Sequence, residues 1–340
     1  MKRFLLRMDA SVQVGLGHLK RCVTLSEELK KRGHEVYFIC RADTRSFLSR
    51  LMATIENEAE YMEWSLDPIE DAKHVTKCCA RKRIDIAIVD HYRANEEYQK
   101  VLYEAGVRWL QFDGRASHPF WADWVLNMSP AANRSLYDGL IRKEARLLLG
   151  PGYAVLRREF AEKSGPKAIK GNVRRILLTF GGGDDAGAAM LCLNAIKSID
   201  ASKTVVMNSG TSQERSVRKW CDDPGNRTTA VFDTSDVSVY MAAADLGITA
   251  GGTTVFEMAA LGVPLLMLQI ADNQVPVCKA WQERGYGVNL GVIAHLKPED
   301  VLRETSSLME DEARRKDMSE KGASLVDGRG AGRVTEALLS

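Results

Sequence analysis

The sequence predicts an α/β protein built from two open parallel-sheet domains. Three observations carry this. The chain starts as strand, Gly-rich turn, helix, strand: Phe4-Leu5-Leu6 runs into Arg7-Met8-Asp9, then come Gly15-Leu16-Gly17-His18-Leu19-Lys20-Arg21 and Glu35-Val36-Tyr37-Phe38-Ile39-Cys40. The same architecture restarts, without close sequence repeat, as a strand over 173–180, a Gly181-Gly182-Gly183-Asp184-Asp185 turn and a helix over 186–199. Between the two, strands such as 84–89 are continuous apolar runs closed by a polar residue, as buried parallel strands are.

Leu19, Cys22, Val23, Ser26 and Leu29 recur at steps of three and four, which places them on one helix face, and Gly33 stands at the C-terminal cap. Gly15 and Gly17 let the backbone turn tightly and approach a ligand, and the first helical N–H groups favour an anion there. The dinucleotide fingerprint is not met: Lys20 replaces its third Gly, and Cys40-Arg41 stand where its acid belongs. Gly-x-Gly-His places the imidazole of His18 beyond the carboxyl end of a strand, where open α/β sheets carry their chemistry. The alternative is that His18 only caps or packs the helix start.

In order, 44–55 and 67–83 read as helices, 84–89 as a strand closed by Asp90-His91-Tyr92, and 96–104 as a helix. Strands follow at 107–112, ending at Asp113, at 124–127, ending at Asn127, and at 146–149, stopped by Gly150-Pro151-Gly152. Asp and Asn at strand ends commonly start turns. Gathered along one sheet edge, Asp9, Asp90, His91, Tyr92, Asp113 and Asn127 would form a site. In the second half, strands are expected at 204–207, 229–232, 246–249 and 264–268. After the third of these, Ala250-Gly251-Gly252-Thr253-Thr254-Val255-Phe256-Glu257 opens a helix. Glycine N–H groups, Thr hydroxyls and a helix start suit a diphosphate, and Glu257, one turn in, suits the two hydroxyls of a ribose. A carboxylate in a first helical turn also caps the helix, for about 0.3–1 kcal/mol. Asp272-Asn273-Gln274 opens the next helix at the same edge.

Composition bounds the function. The chain has 340 residues, 45% apolar and 27% charged, with a net charge of +2. That is an ordinary globular balance and gives no sign of a nucleic-acid partner. The basic clusters at 30–32 and 81–83 end helices, where cations are favourable. The longest near-apolar run, 261–271, contains Gly, Pro and Gln and falls short of the roughly 20 residues that span a bilayer. Lys2-Arg3 precedes only three apolar residues, which is no secretory signal. The seven Cys are scattered, so reduced thiols and a cytoplasmic location are expected. No His, Asp and Glu stand at metal-ligand spacing, so neither a metal nor a cofactor is expected.

Taken together, the motifs resemble the GT-B class of nucleotide-sugar enzymes, to which the N-acetylglucosaminyltransferase of peptidoglycan synthesis belongs. Arg7-Met8-Asp9-Ala10-Ser11, the turn from Gly15 to Arg21, Asp90-His91-Tyr92, Leu126-Asn127, Tyr137-Asp138-Gly139-Leu140 and the run from Gly152 to Phe160 narrow the resemblance. They are similar to the hydrolase family of pseudaminic acid biosynthesis, which removes UDP from UDP-2,4-diacetamido-2,4,6-trideoxy-β-L-altropyranose. The resemblance implies a GT-B-type α/β fold, two Rossmann-like parallel-sheet domains facing a cleft. It places the catalytic and sugar site in 1–160, a linker at 161–172, the UDP-binding domain at 173–325 and a terminal helix at 326–340, one reading of which returns it to the first domain.

Residue by residue, the resemblance makes His18 the general base that activates water and Tyr92 a catalytic residue near the anomeric carbon. It makes Arg157 a substrate contact and Glu257 the nucleotide carboxylate. The substrate-binding set is completed by Asp9, Gly15, Gly17, Arg21, Asp90 and Asn127 in the first domain. In the second it is completed by Gly181, Gly182, Gly251, Gly252, Thr253, Thr254, Asn273 and Gln274. The family often has Ser or Thr where Gly183 stands, and a His two or three residues before the position of Asp123, where His118 lies five before; these departures leave the exact sugar open.

The implied reaction is metal-independent hydrolysis of a UDP-sugar with inversion. A UDP-sugar is the expected partner, with no nucleic acid and no membrane insertion, and the oligomeric state is open. Two rivals stand beside it. A transferase acting on a lipid acceptor would be expected to carry an apolar docking patch or basic amphipathic helix, which the sequence lacks. A non-catalytic UDP-sugar binder has no use for His18 and Tyr92.

Overall fold

The apolar run at the start of the chain forms β1 (Arg3–Ala10), an inner strand of a seven-stranded parallel sheet. The computed structural model describes residues 1–10, 17–42, 59–62, 67–181 and 185–340. The sheet continues through β2 (Glu35–Ala42), β3 (Ala59–Met62), β4 (Ile86–Asp90), β5 (Trp109–Phe112), β6 (Trp124–Asn127) and β7 (Arg146–Leu149), in the order β3-β2-β1-β4-β5-β6-β7. Successive side chains of a strand go to opposite faces. Phe4, Leu6 and Met8 therefore pack under α1 (Gly17–Lys31), against Leu19, Cys22, Leu25 and Leu29. Leu5 goes to the other face, under the helix Pro68–Lys82 with Ala72 and Val75. Arg7 and Asp9 share that second face and are buried there, which makes a counter-charge compulsory.

The helix ends follow local rules. Asp67 caps the helix Pro68–Lys82 by accepting from the Ile69 and Glu70 N–H groups, and Arg83 closes it in the left-handed region at φ 53°. Gly33, at φ 80°, closes α1. The helix expected over 44–55 lies outside the described residues. Strand β3 was not expected, because Ala59 and Glu60 favour strands weakly and it stands at the sheet edge.

The chain divides into two units: Met1–Arg157 with Arg329–Ser340, and Arg158–Gly328. The second holds a six-stranded parallel sheet of β8 (Arg175–Thr179), β9 (Ser202–Met207), β10 (Thr228–Phe232), β11 (Leu246–Ala250), β12 (Leu265–Gln269) and β13 (Val288–Val292). Its order is β10-β9-β8-β11-β12-β13, with β11 and β12 buried throughout. β13 was missed in the sequence because Asn289 and Gly291 break its apolar pattern. It is an edge strand whose register against β12 shifts between Met267 and Gln269. The segment 161–172, read as a linker, is fastened within this unit. Its Gly165 N–H donates to the Ala260 carbonyl at 2.8 Å, and its Lys167 N–H to the Ser319 hydroxyl at 2.8 Å. No helix among the described residues is long and apolar enough to cross a membrane.

The terminal helix, Gly330–Leu339, packs in the first unit. Val334 and Leu338 are buried in the core beneath α1, and Arg333 donates to the Gly152 carbonyl at 2.7 Å. Gly330 permits this approach, since a Cβ on it would stand 2.1 Å from the Ala154 carbonyl oxygen. Gly330→Ala therefore forces backbone apart and should cost about 1–3 kcal/mol, the scale of overpacking. Chemical denaturation checks this, and an unchanged midpoint would mean that the contact does not hold the helix.

Candidate functional site

In an open α/β sheet the ligand crevice lies beyond the carboxyl ends of the strands, where the strand order reverses. In the first sheet that point lies between β1 and β4, which pair in parallel while the chain leaves them in opposite directions. The elements that follow them are the start of α1 and the turn Asp90-His91-Tyr92. Both are the stretches singled out in the sequence.

His18, in the first turn of α1, and Asp90, the last residue of β4, are only 4% and 1% exposed. His18 Nδ1 lies 2.5 Å from Asp90 Oδ1. Arg21, one turn further along α1, grips the same carboxylate side-on, with Nε donating to Oδ2 and Nη2 to Oδ1, each at 2.9 Å. Burial alone would raise the Asp90 carboxyl. The charge of Arg21, with the hydrogen bonds from Arg21 and His18, overrides burial and holds it well below the usual carboxylate range. A carboxylate has no proton to give, so Nδ1 of neutral His18 carries the hydrogen and Nε2 carries the lone pair. Tyr92, 70% exposed, sets its ring edge-on to the imidazole at 4.7 Å. The result is an oriented imidazole base beside an exposed phenol.

Asp9, Asp113 and Asn127 are hydrogen-bonded within the fold. Asp9 accepts from Arg7 Nη1 at 2.7 Å and from Arg41 Nη2 at 2.6 Å. Arg7 also grips Asp71 of the helix Pro68–Lys82, its Nε donating at 2.9 Å. This buried ionic network supplies the counter-charges that the alternation of β1 requires. Burial and then the neighbouring Arg7 push His91 down to about 3, so it is neutral at physiological pH. Asn127 donates to the Tyr137 hydroxyl at 2.8 Å and accepts from the Ser129 N–H, and Tyr137 donates to Asp113 at 2.6 Å. Gly17 begins α1, and Arg157, half-buried, is the last residue of this unit's first segment. Gly15 and Gly182 lie outside the described residues.

In the second sheet the strand order reverses between β8 and β11, and the Thr249 hydroxyl donates to the Thr179 carbonyl across that seam. The two Gly-rich turns leave from here. Gly181 holds φ 96°, which a side chain rarely adopts, and a Cβ on it would lie 4.0 Å from the Thr254 hydroxyl. The glycines after β11 differ from the expectation of exposed N–H donors. The Gly251 N–H donates to Leu268 and the Gly252 N–H to Ala250, both backbone carbonyls. Gly251 is needed for packing, because a Cβ there would stand 2.2 Å from the Cys278 sulfur. Gly252 faces open space. The polar side chains at this turn are the exposed Thr253, the half-buried Glu257 and the buried Thr254, at the start of the helix Thr254–Ala260. Asp185 caps the helix Ala188–Ala195, accepting from the Ala189 N–H at 2.9 Å. Asn273 is exposed in the turn after β12, while Gln274 accepts from the Ile270 N–H at 2.9 Å.

Sequence reasoning named Asp90 and Arg21 but not their partnership with His18. The signal was available: Arg21 stands three residues after His18 on one helix, and an acid closes the neighbouring strand. Asp71, hidden in a first helical turn, left no comparable trace. Among the described residues, no three His, Cys, Asp or Glu side chains stand together as metal ligands do.

No protein-family model matches the chain. It is 25% identical to the spore coat polysaccharide biosynthesis protein SpsG of Bacillus subtilis over 338 residues, 97% of this chain and 96% of that protein. It is 28% identical to the UDP-2,4-diacetamido-2,4,6-trideoxy-beta-L-altropyranose hydrolase of Campylobacter jejuni over 163 residues, 48% of this chain and 54% of that protein. Among solved structures, MurG of Acinetobacter baumannii aligns over all of this chain and 99% of its own, with a TM-score of 0.72 at 14% identity, a likeness of fold alone. The chain is thus similar in sequence to SpsG and to the altropyranose hydrolase, and its fold is an α/β fold of the GT-B type.

Proposed function

We propose that the protein is an enzyme acting on a UDP-sugar, and that it hydrolyses a UDP-linked diacetamido-trideoxy-hexose to UDP and the free sugar. The observation that carries this is the His18–Asp90 pair at the switch point of the first sheet. An imidazole with its Nδ1–H fixed on a buried carboxylate is built to accept a proton at Nε2. The similarity to the Campylobacter jejuni hydrolase supplies the substrate class. In this reading Glu257, Thr253 and Thr254 hold the nucleotide, and Tyr92, Arg157 and Asn273 are sugar or substrate contacts.

The chemistry follows from the leaving group. UDP departs as a stabilised anion, so the step does not require a strong general acid. Water is a poor nucleophile and needs a base. His18 Nε2 takes the proton as the water oxygen bonds to the anomeric carbon. The bond from that carbon to the UDP oxygen breaks, and its electron pair leaves with UDP. A single displacement of this kind inverts the anomeric centre.

Two variants test the assignment. His18→Asn keeps the volume but accepts no proton near neutral pH, so kcat should fall about 10²- to 10⁴-fold while UDP affinity and melting temperature hold. A near wild-type rate in a UDP-release assay would remove His18 from the mechanism. Glu257→Ala should weaken UDP binding by roughly 1–3 kcal/mol, the scale of hydrogen bonds to a charged group. Calorimetry showing unchanged affinity in a folded variant would remove Glu257 from the nucleotide site.

A further inference from the structure

We propose that Arg21 is a positioning residue that keeps His18 in its proton-accepting form, by neutralising the carboxylate that orients it. This rests on the reading of His18 as the general base. A buried carboxylate against an imidazole does two things at once. It fixes the ring and its tautomer, and it draws a proton onto the ring, because an opposite charge at this range favours the charged form by about 1–3 pH units. A base that is already protonated cannot accept the proton of water. The first effect is useful and the second is not.

Arg21 separates the two. Two of its three guanidinium nitrogens donate to Asp90, and its Nη2 stands 3.1 Å from His18 Nδ1. Arg21 has no acceptor and Nδ1 carries a hydrogen, so that approach is no hydrogen bond. Both groups converge on Asp90 Oδ1. With neutral His18 the cluster is one anion against one cation. Protonating His18 would add a second positive charge beside Arg21. The guanidinium is set in place, with its carbon 5.1 Å from the centre of the Phe112 ring of β5.

The remaining groups around His18 do not substitute for it. On α1 the buried Cys22 thiol is pushed well up by burial and is uncharged. After β4 come the neutral His91 and the phenol of Tyr92. At the ends of β1 and β2, Arg7, Asp9 and Arg41 are paired with one another and with Asp71. The terminal helix contributes Glu336, paired with Arg32 on α1. Arg21 is therefore the cation assigned to the Asp90–His18 pair among the described residues.

The test is a pH titration of the His18 imidazole by NMR in the substrate-free protein, alongside the pH dependence of kcat and KM. In Arg21→Met the imidazole gains protons more readily, so its titration midpoint should rise by about 1–2 pH units. The acid limb of kcat should rise with it, activity should recover at alkaline pH, and KM should stay near wild type. Arg21→Lys, which returns the charge without the bidentate grip, should bring the midpoint part of the way back. If Arg21→Met does not fold, Arg21→Gln takes its place in the same titration. An unmoved midpoint overturns the proposal. So does a raised KM at an unshifted kcat profile, which would make Arg21 a substrate contact. Absence of UDP release by the wild type would instead sink the hydrolase reading, and the substrate-free titration would still decide the role of Arg21.

Discussion

The first unit depends on a charge held at the end of β4. Asp90 is buried, ionised, and shared between the imidazole of His18 and the guanidinium of Arg21. Leaving such a carboxylate unpaired in the interior would cost several kcal/mol. The geometry of α1 against β4 is thereby fixed by the same bonds that orient the base. Register enforces it from below: β1 and β4 are parallel neighbours, so the start of α1 and the end of β4 emerge at one edge. Structure and site are one arrangement here.

The other face of β1 shows buried charges paired within the fold. Arg7, Asp9, Arg41 and Asp71 close on each other. Asn127, Tyr137 and Asp113 do the same at the ends of β5 and β6. What distinguishes His18 is an orienting carboxylate on Nδ1, which leaves the lone pair of the neutral ring on Nε2. In the second unit Gly251 makes room for Cys278, whereas Gly252 has no neighbour within 4 Å of a Cβ.

Much of this was legible in the sequence. The helix Glu96–Glu104 and strands β6 and β7 were read with the bounds that the structure has, because apolar periodicity and turn residues agree there, whereas the strand over 173–180 and the helix over 186–199 are shorter, at Arg175–Thr179 and Ala188–Ala195. The edge strands β3 and β13 were not legible, since Glu60, Asn289 and Gly291 weaken their pattern and only pairing to a neighbour makes them strands. The Gly–His turn pointed to a base, but the pairing of Asp90 with both His18 and Arg21 joins residues 72 and 69 apart in the chain, and its trace in the sequence, Arg21 one turn after His18 and an acid closing the neighbouring strand, was not read as a pairing. The committed N–H groups of Gly251 and Gly252 were hidden because their acceptors depend on how the turn closes on β11 and β12.

The central claim is that water, deprotonated by His18, attacks the anomeric carbon of a UDP-linked sugar. Turnover in water enriched in heavy oxygen, followed by mass spectrometry of both products, tests it most directly. The account predicts the label in the anomeric hydroxyl of the released sugar and unlabelled UDP. Label in UDP would place the attack at phosphorus, and release of UDP only when an acceptor sugar or lipid is added would make the enzyme a transferase; either result contradicts the account.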